Sequence, residues 1–157
     1  MAHDAVDDRL RDLGIELPGP FPPHDPLDAV VVHGGVARTS GQLPRDHAGT
    51  LVNPGTLGED LSVEQGTEAA RWCALNALSV LRSELGSLDR IERVLTVLGF
   101  VACRPGFDAQ PAVVDGASRL LAEVFGDAGR HSRSAIGVAA LPRGGSVEIE
   151  VAVALRA

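Results

Sequence analysis

The sequence predicts an α+β fold, a mixed β-sheet with two helices on one side. Three observations predict it. Short alternating apolar segments lie near both ends of the chain, at 29–44 and 131–155. Between them are two segments of helical periodicity, 62–86 and 110–126, and a β-branched segment at 90–103 separates the two. The resulting order is strand, strand, helix, strand, helix, strand, strand, and each helix carries an apolar stripe that needs a sheet to cover it.

The elements follow in order. Residues 3–13, HDAVDDRLRDL, place Val6, Leu10 and Leu13 three to four apart before Gly14, the pattern of a short amphipathic helix with a glycine stop. PGPFPPHDP, 18–26, holds five prolines, which deny backbone donors and force an extended arm. AVVVHGGVARTSGQLP, 29–44, reads as a hairpin turning at His33, Gly34 and Gly35, with its second strand ending at Pro44. Residues 45–60 are loop-like, with a short strand at 50–52.

Ser62 followed by Gln65 forms a capping box, and Gly86 closes the long helix after about six turns. Ala70, Cys73, Ala74, Ala77, Leu78, Leu81 and Leu85 make its apolar face. RIERVLTVLGFVAC, 90–103, suits a central strand, and QPAVVDGASRLLAEVFG is a second helix ending at Gly126. A chain of 157 residues, 45% hydrophobic, is the size of one compact body, taken as 27–157, preceded by the helix and arm of 1–26.

Composition excludes several chemistries. All 14 basic residues are arginines, so no lysine can form a Schiff base or serve a phosphate-binding loop. A net charge of -7 repels nucleic-acid backbones, so no nucleic-acid partner is expected. The five histidines stand at 3, 24, 33, 47 and 131, never at i, i+4, and no metal site is expected. Cys73 and Cys103 lie far apart without a CxxC pattern and read as ordinary thiols of a reducing cytoplasm. Charges at the N-terminus argue against a signal peptide, and no apolar run has the length of a membrane span. HGG at 33–35 lacks a G-x-S-x-G partner and reads as a turn.

The segment HSRSAIGVAALPRGGSVEIEVAVAL, 131–155, reads as a hairpin around Pro-Arg-Gly-Gly. With Leu141 opposite Ser146, one face holds Ile136, Val138, Val147, Ile149, Val151 and Val153, toward the helices. The other holds Arg133, Glu148 and Glu150 among Ala135, Gly137, Ala139, Ala152 and Ala154. Arg133 and Glu148 then stand about 20 Å apart along the strands, at about 3.3 Å per residue, too far to meet within one chain. Small side chains would let another subunit approach and bring Arg133 of one chain near Glu148 of the next. The plainer reading is that these are surface charges on an exposed sheet face.

RSAIGVAALPRGGSVEIEVAVAL together with TSGQLP resembles the Rid family, the YjgF-like reactive intermediate deaminases. ALNALSVLRSELGSLDRIERVLTVLGFV is similar to that family's long helix and following strand, including Asn76, and the resemblance spans about 27–156. It implies a chorismate-mutase-like fold, a homotrimer whose sheets form a barrel, and three sites between subunits. The implied activity is hydrolysis of small carboxylated enamines or imines, such as 2-aminoacrylate, to 2-keto acids and ammonia, with no cofactor and no metal. Arg133 falls on the position that grips the substrate carboxylate, and Glu148 on the one that holds the attacking water. Ala135 would contact substrate through its backbone N–H, and Ser40 and Gly41 fall in the substrate-binding TSGQLP motif. Leu27, or Phe21, stands where the family has an aromatic residue, and Asp115 or Ser118 stands where it has an asparagine. Two other readings stay open: a non-catalytic trimer that binds a small carboxylated metabolite, and an endoribonuclease.

Overall fold

The computed structural model describes residues 5–157. A short helix, α1 (Ala5–Asp12), leads through the proline arm to strands β1 (Val30–His33) and β2 (Val36–Thr39). After a loop come α2 (Val63–Leu85), β3 (Ile91–Ala102), α3 (Gln110–Phe125), β4 (Ser132–Val138) and β5 (Val147–Leu155). The expected capping box is present: Ser62 Oγ accepts from the Gln65 N–H, and Gln65 Oε1 accepts from the Ser62 N–H. At the other end the Gly86 N–H donates to the Arg82 carbonyl with φ 80°, a conformation that glycine adopts without a Cβ penalty.

All seven apolar positions expected on the long helix are buried, and α2 packs on α3 as well as on β5. The two helices approach so closely that a Cβ on Gly116 would strike the backbone carbonyl of Thr67. Positions 3 and 4 of the expected first helix lie outside the described residues. Its remainder is docked: the Ala5 and Val6 N–H groups donate to the Asp89 carboxylate, which satisfies donors that a helix start leaves open. Leu10 and Leu17 join the same hydrophobic cluster as the sheet and long helices. Leu10→Ala should therefore cost about 2–5 kcal/mol, the range for emptying a packed site, read from urea unfolding. A cost near zero would mean that α1 rests on the core without supporting it.

The sheet order is β1-β2-β5-β3-β4, with β3 and β4 parallel and every other pair antiparallel. The expected hairpin of β4 with β5 does not form. β3 lies between them, and the Pro142–Gly144 turn carries the chain past β3 into the gap beside β2. The central slot gives β5 ladders on both edges, with nine partners on β3 alone, where a terminal hairpin would give it one edge. The second strand of the first hairpin also stops earlier than expected, at Thr39. Segment 50–52 contributes only an isolated bridge, Leu51 to Arg45.

This order reverses the assignment of faces on β4. Arg133 is level with Val97, and Val97 with Val151, so Arg133 shares the helix-covered face with two buried valines. Ile136 is level with Phe100 and hence Glu148, on the open face, where it is 44% exposed. On β5 the expectation holds: Val147, Ile149, Val151 and Val153 are buried, while Glu148 and Glu150 face the open side.

Candidate functional site

Glu148 sits at a break in the β2–β5 ladder. Arg38 pairs with Ala152 and Gln42 with Ile149, so one strand takes four steps where the other takes three. The extra residue is a β-bulge formed by Ser40 and Gly41, a device that re-aims side chains beside sites. The Val151 N–H, left without a strand carbonyl, donates to Thr39 Oγ1 at 3.1 Å. Ser40 Oγ donates to the Asp28 carbonyl at 2.6 Å, which ties the bulge to the end of the arm. The Glu148 carboxylate lies directly against Gly41, where any Cβ would collide with it. Burial, and next the negative charge of Glu150, raise the Glu148 carboxyl above the ordinary glutamate range. A carboxylate raised in this way is a better proton acceptor for a bound water.

A cleft of about 410 Å³ opens beside this bulge, lined by Leu27, Ser40 and Gly41 together with Phe21, Arg45 and Arg143. The arm forms its wall. Phe21 lies under the Arg45 guanidinium at 5.7 Å, and the Arg45 carbonyl accepts from Asn76 Nδ2 at 2.8 Å. Three expected residues, Leu27, Ser40 and Gly41, thus line one cleft, and Gly41 lies against Glu148.

Arg133 and Ala135 stand elsewhere, on edge strand β4 and on the other face of the sheet. Two strand spacings of about 4.8 Å and three residues of about 3.3 Å put the Arg133 and Glu148 Cα atoms about 14 Å apart. The Arg133 guanidinium reaches α3, where Nη1 donates to Asp115 Oδ1 at 2.8 Å and to Ser118 Oγ at 3.2 Å. His131 Nε2 shares a 2.9 Å hydrogen bond with the same serine hydroxyl. Arg133 is 22% exposed and Asp115 38%, so the pair is reachable from solvent. A larger cleft, about 560 Å³, lies at the end of β4 between Gly137–Ala139 and the Cys103–Gln110 loop.

Cys73 is fully buried and its thiol donates to the Val147 carbonyl; burial, and next the Glu148 charge, push its pKa well up, so it stays protonated. Among the described residues no three His, Cys, Asp or Glu side chains are grouped to hold a metal ion. No helix among them is long and apolar enough to cross a membrane. Asp115 and Ser118, the two counterparts of the family's asparagine, both turn out to be partners of Arg133, whereas the arginines beside the bulge were outside the reach of motif reading. The only sequence signal for Arg143 was its place in a turn.

A parallel edge strand reached through α3, a late strand inserted at the sheet centre, and a bulge carrying TSGQ beside a glutamate define an α+β YjgF-like domain. The chain belongs to the YjgF family: the model described as "YjgF/chorismate mutase-like, putative endoribonuclease" matches residues 7–149. It is 42% identical over 156 residues to Protein TCP17 of Trypanosoma cruzi, covering 99% of this chain and 97% of that one. Among solved structures it is similar to Atu1372 of Agrobacterium tumefaciens, a protein of unknown function, at 38% identity and TM-score 0.87, covering 97% and 92% of the two chains. It is also similar to a "putative endoribonuclease" of Shewanella oneidensis, at 33% identity and TM-score 0.91, covering 96% and 99%. The YjgF gene product of E. coli shares the fold at 21% identity and TM-score 0.62, over 89% of this chain and 98% of that one.

Proposed function

We propose that the chain is a cytoplasmic homotrimeric hydrolase that converts small carboxylated enamines or imines to 2-keto acids and ammonia, at sites built between subunits. The observation that carries this reading is the division of the candidate residues into two separate half-sites. Arg133 on β4 offers a planar guanidinium, with Ala135 beside it, and Glu148 on β5 offers a basic carboxylate within the bulge. Neither half is sufficient. A carboxylate anchor has no base, and a base has no anchor to hold an imine carbon near its water. Apposition of two copies, with the β4 edge of one laid beside the bulge of the next in a barrel-like ring, supplies both.

In that arrangement Arg133 holds the substrate carboxylate by parallel N–H donors, and Glu148 takes a proton as water adds to the imine carbon. The carbinolamine then expels ammonia to leave the 2-keto acid. A second reading, a trimer that binds carboxylated metabolites without turnover, needs only the Arg133 guanidinium, which is sufficient for binding a carboxylate but not for turnover. Cleavage of RNA, suggested by the descriptions of relatives, is disfavoured by the net charge of -7 and the absence of lysine.

Subunit complementation tests the proposal. Arg133→Ala and Glu148→Gln are each expected to be nearly inactive in ammonia release from freshly generated 2-aminoacrylate. Co-expressed and randomly mixed, they should recover about a quarter of wild-type activity, the share of interfaces that pair an intact Arg133 with an intact Glu148. Light scattering should show a trimer throughout. A monomer at micromolar concentration, or verified mixed trimers without recovered activity, would rule out the intersubunit site.

A further inference from the structure

We infer that the cleft beside the bulge is a second anion subsite, which takes a distal acidic group of the substrate, so that the preferred ligands are 2-imino and 2-keto acids bearing a second carboxylate or a phosphate. The inference rests on the proposed reading, since it assumes that Glu148 faces the reacting carbon. Its basis is the chemistry of Arg143 and Arg45. Both line the cleft that contains Ser40 and Gly41, and Gly41 is the residue against which the Glu148 carboxylate lies. Neither guanidinium makes a side-chain hydrogen bond or an ion pair among the described residues, although acidic residues outnumber basic ones 21 to 14 in the chain.

Arg143 is also held there at a conformational cost. Its φ is 59° and ψ 17°, the left-handed region that disfavours side chains, while the next two residues are glycines. A glycine at 143 would relieve that cost. Observed strain of this kind marks positions where the side chain is used. The turn is not a free tip: the Gly144 carbonyl accepts from the Gly55 N–H at 3.0 Å, and Gly145 packs against Leu43, which lines the same cleft. Arg45 is positioned from the other side by Phe21 of the arm. Two arginines lining one concave surface suit an anion, and a substrate whose first carboxylate is held by Arg133 of another subunit would present a second, distal group to them.

The test is calorimetric titration of the full-length protein with three product-like probes: 2-oxoglutarate, 3-phosphonopyruvate and 2-oxobutyrate. At least one of the doubly acidic probes should bind about tenfold more tightly than 2-oxobutyrate, the effect of one additional charge-assisted contact. Whichever gains more identifies the distal group as carboxylate or phosphate. Arg143→Gly should bring all three affinities to within about twofold of one another, with the trimer intact and the melting temperature unchanged or higher. Arg45→Gln should act in the same direction. Equal affinities in the wild type, or a preference that survives Arg143→Gly, would overturn the subsite. Loss of the trimer in Arg143→Gly would do the same, by assigning the arginine to an interface. Turnover separates the two ideas: hydrolysis of 2-aminoacrylate without any diacid preference removes the subsite alone, whereas a diacid preference without hydrolysis of any imine removes the catalytic reading and leaves the subsite.

Discussion

Glu148→Gln is expected to lower imine turnover by about 10²–10⁴-fold, the usual worth of a positioned acid or base, while affinity for a 2-keto acid held by Arg133 changes little. The glutamine keeps the shape that fits against Gly41 but cannot accept a proton from water. Glu150→Gln should be much milder, because Glu150 lies about 7 Å further along the strand, two residues at about 3.3 Å each. The acidic limb of the rate profile carries a second signature. The Glu148 carboxyl is raised by burial and by Glu150, so activity should fall with decreasing pH at a point above the ordinary glutamate range. Glu150→Gln should move that limb to lower pH by removing the neighbouring charge.

The linkage has a definite sign. A carboxyl whose folded pKa exceeds its unfolded value favours the folded state most when protonated, and that contribution is lost as pH rises through the folded pKa. At neutral pH the ionised Glu148 therefore weighs against the fold. Glu148→Gln should raise the melting temperature at pH 7 and not at pH 4, while activity is lost. A variant that is less stable at neutral pH and retains its turnover would assign Glu148 a structural role.

Arg133→Ala should reduce kcat/KM for 2-aminoacrylate by about 10²–10³, the range for removing one partner of a hydrogen-bonded charge pair. Arg133→Lys keeps the charge but not the planar fork, and should recover only part of that loss. Asp115→Asn is expected to have the opposite effect on binding. It releases Arg133 Nη1 from its 2.8 Å ion pair and should tighten 2-keto acid binding about three- to tenfold. All three variants can be followed by steady-state kinetics and by calorimetry. If Arg133→Ala left kcat/KM unchanged, the guanidinium would be only a surface partner of Asp115.

Most elements were legible in the sequence because their signals are local. Ser62 and Gln65 announce the start of α2 through groups three residues apart, and Val147, Ile149, Val151 and Val153 mark one face of β5 whichever strand lies beside it. Strand order was not legible, because alternation specifies faces and says nothing of neighbours. β5 looked like the partner of β4 because a turn joins them. Parity on β4 was the weakest point, since neither face of an edge strand is fully covered and Arg133, Ala135, Ser134 and Ile136 give no clear contrast. The site divided in the same way. Gly41 and Glu148 carried a motif, and the structure brings them into contact. The Arg133–Asp115 pair joins positions 18 apart on different elements, where no periodicity connects them.

The position of β5 also dictates when the sheet can close during synthesis. β5 is the last of the five strands to be made, yet it forms the seam that joins the β1–β2 hairpin to the β3–β4 pair. Until residues 147–155 have left the ribosome, β2 and β3 each present a bare edge and the apolar stripe of α2 has half a sheet to cover. The nascent chain thus carries two unjoined ladders, the kind of exposed edge that chaperones shield and other chains can capture. Releasing the chain a few residues before Val147 would leave it without a centre, in contrast to the fraying expected when a peripheral strand is lost.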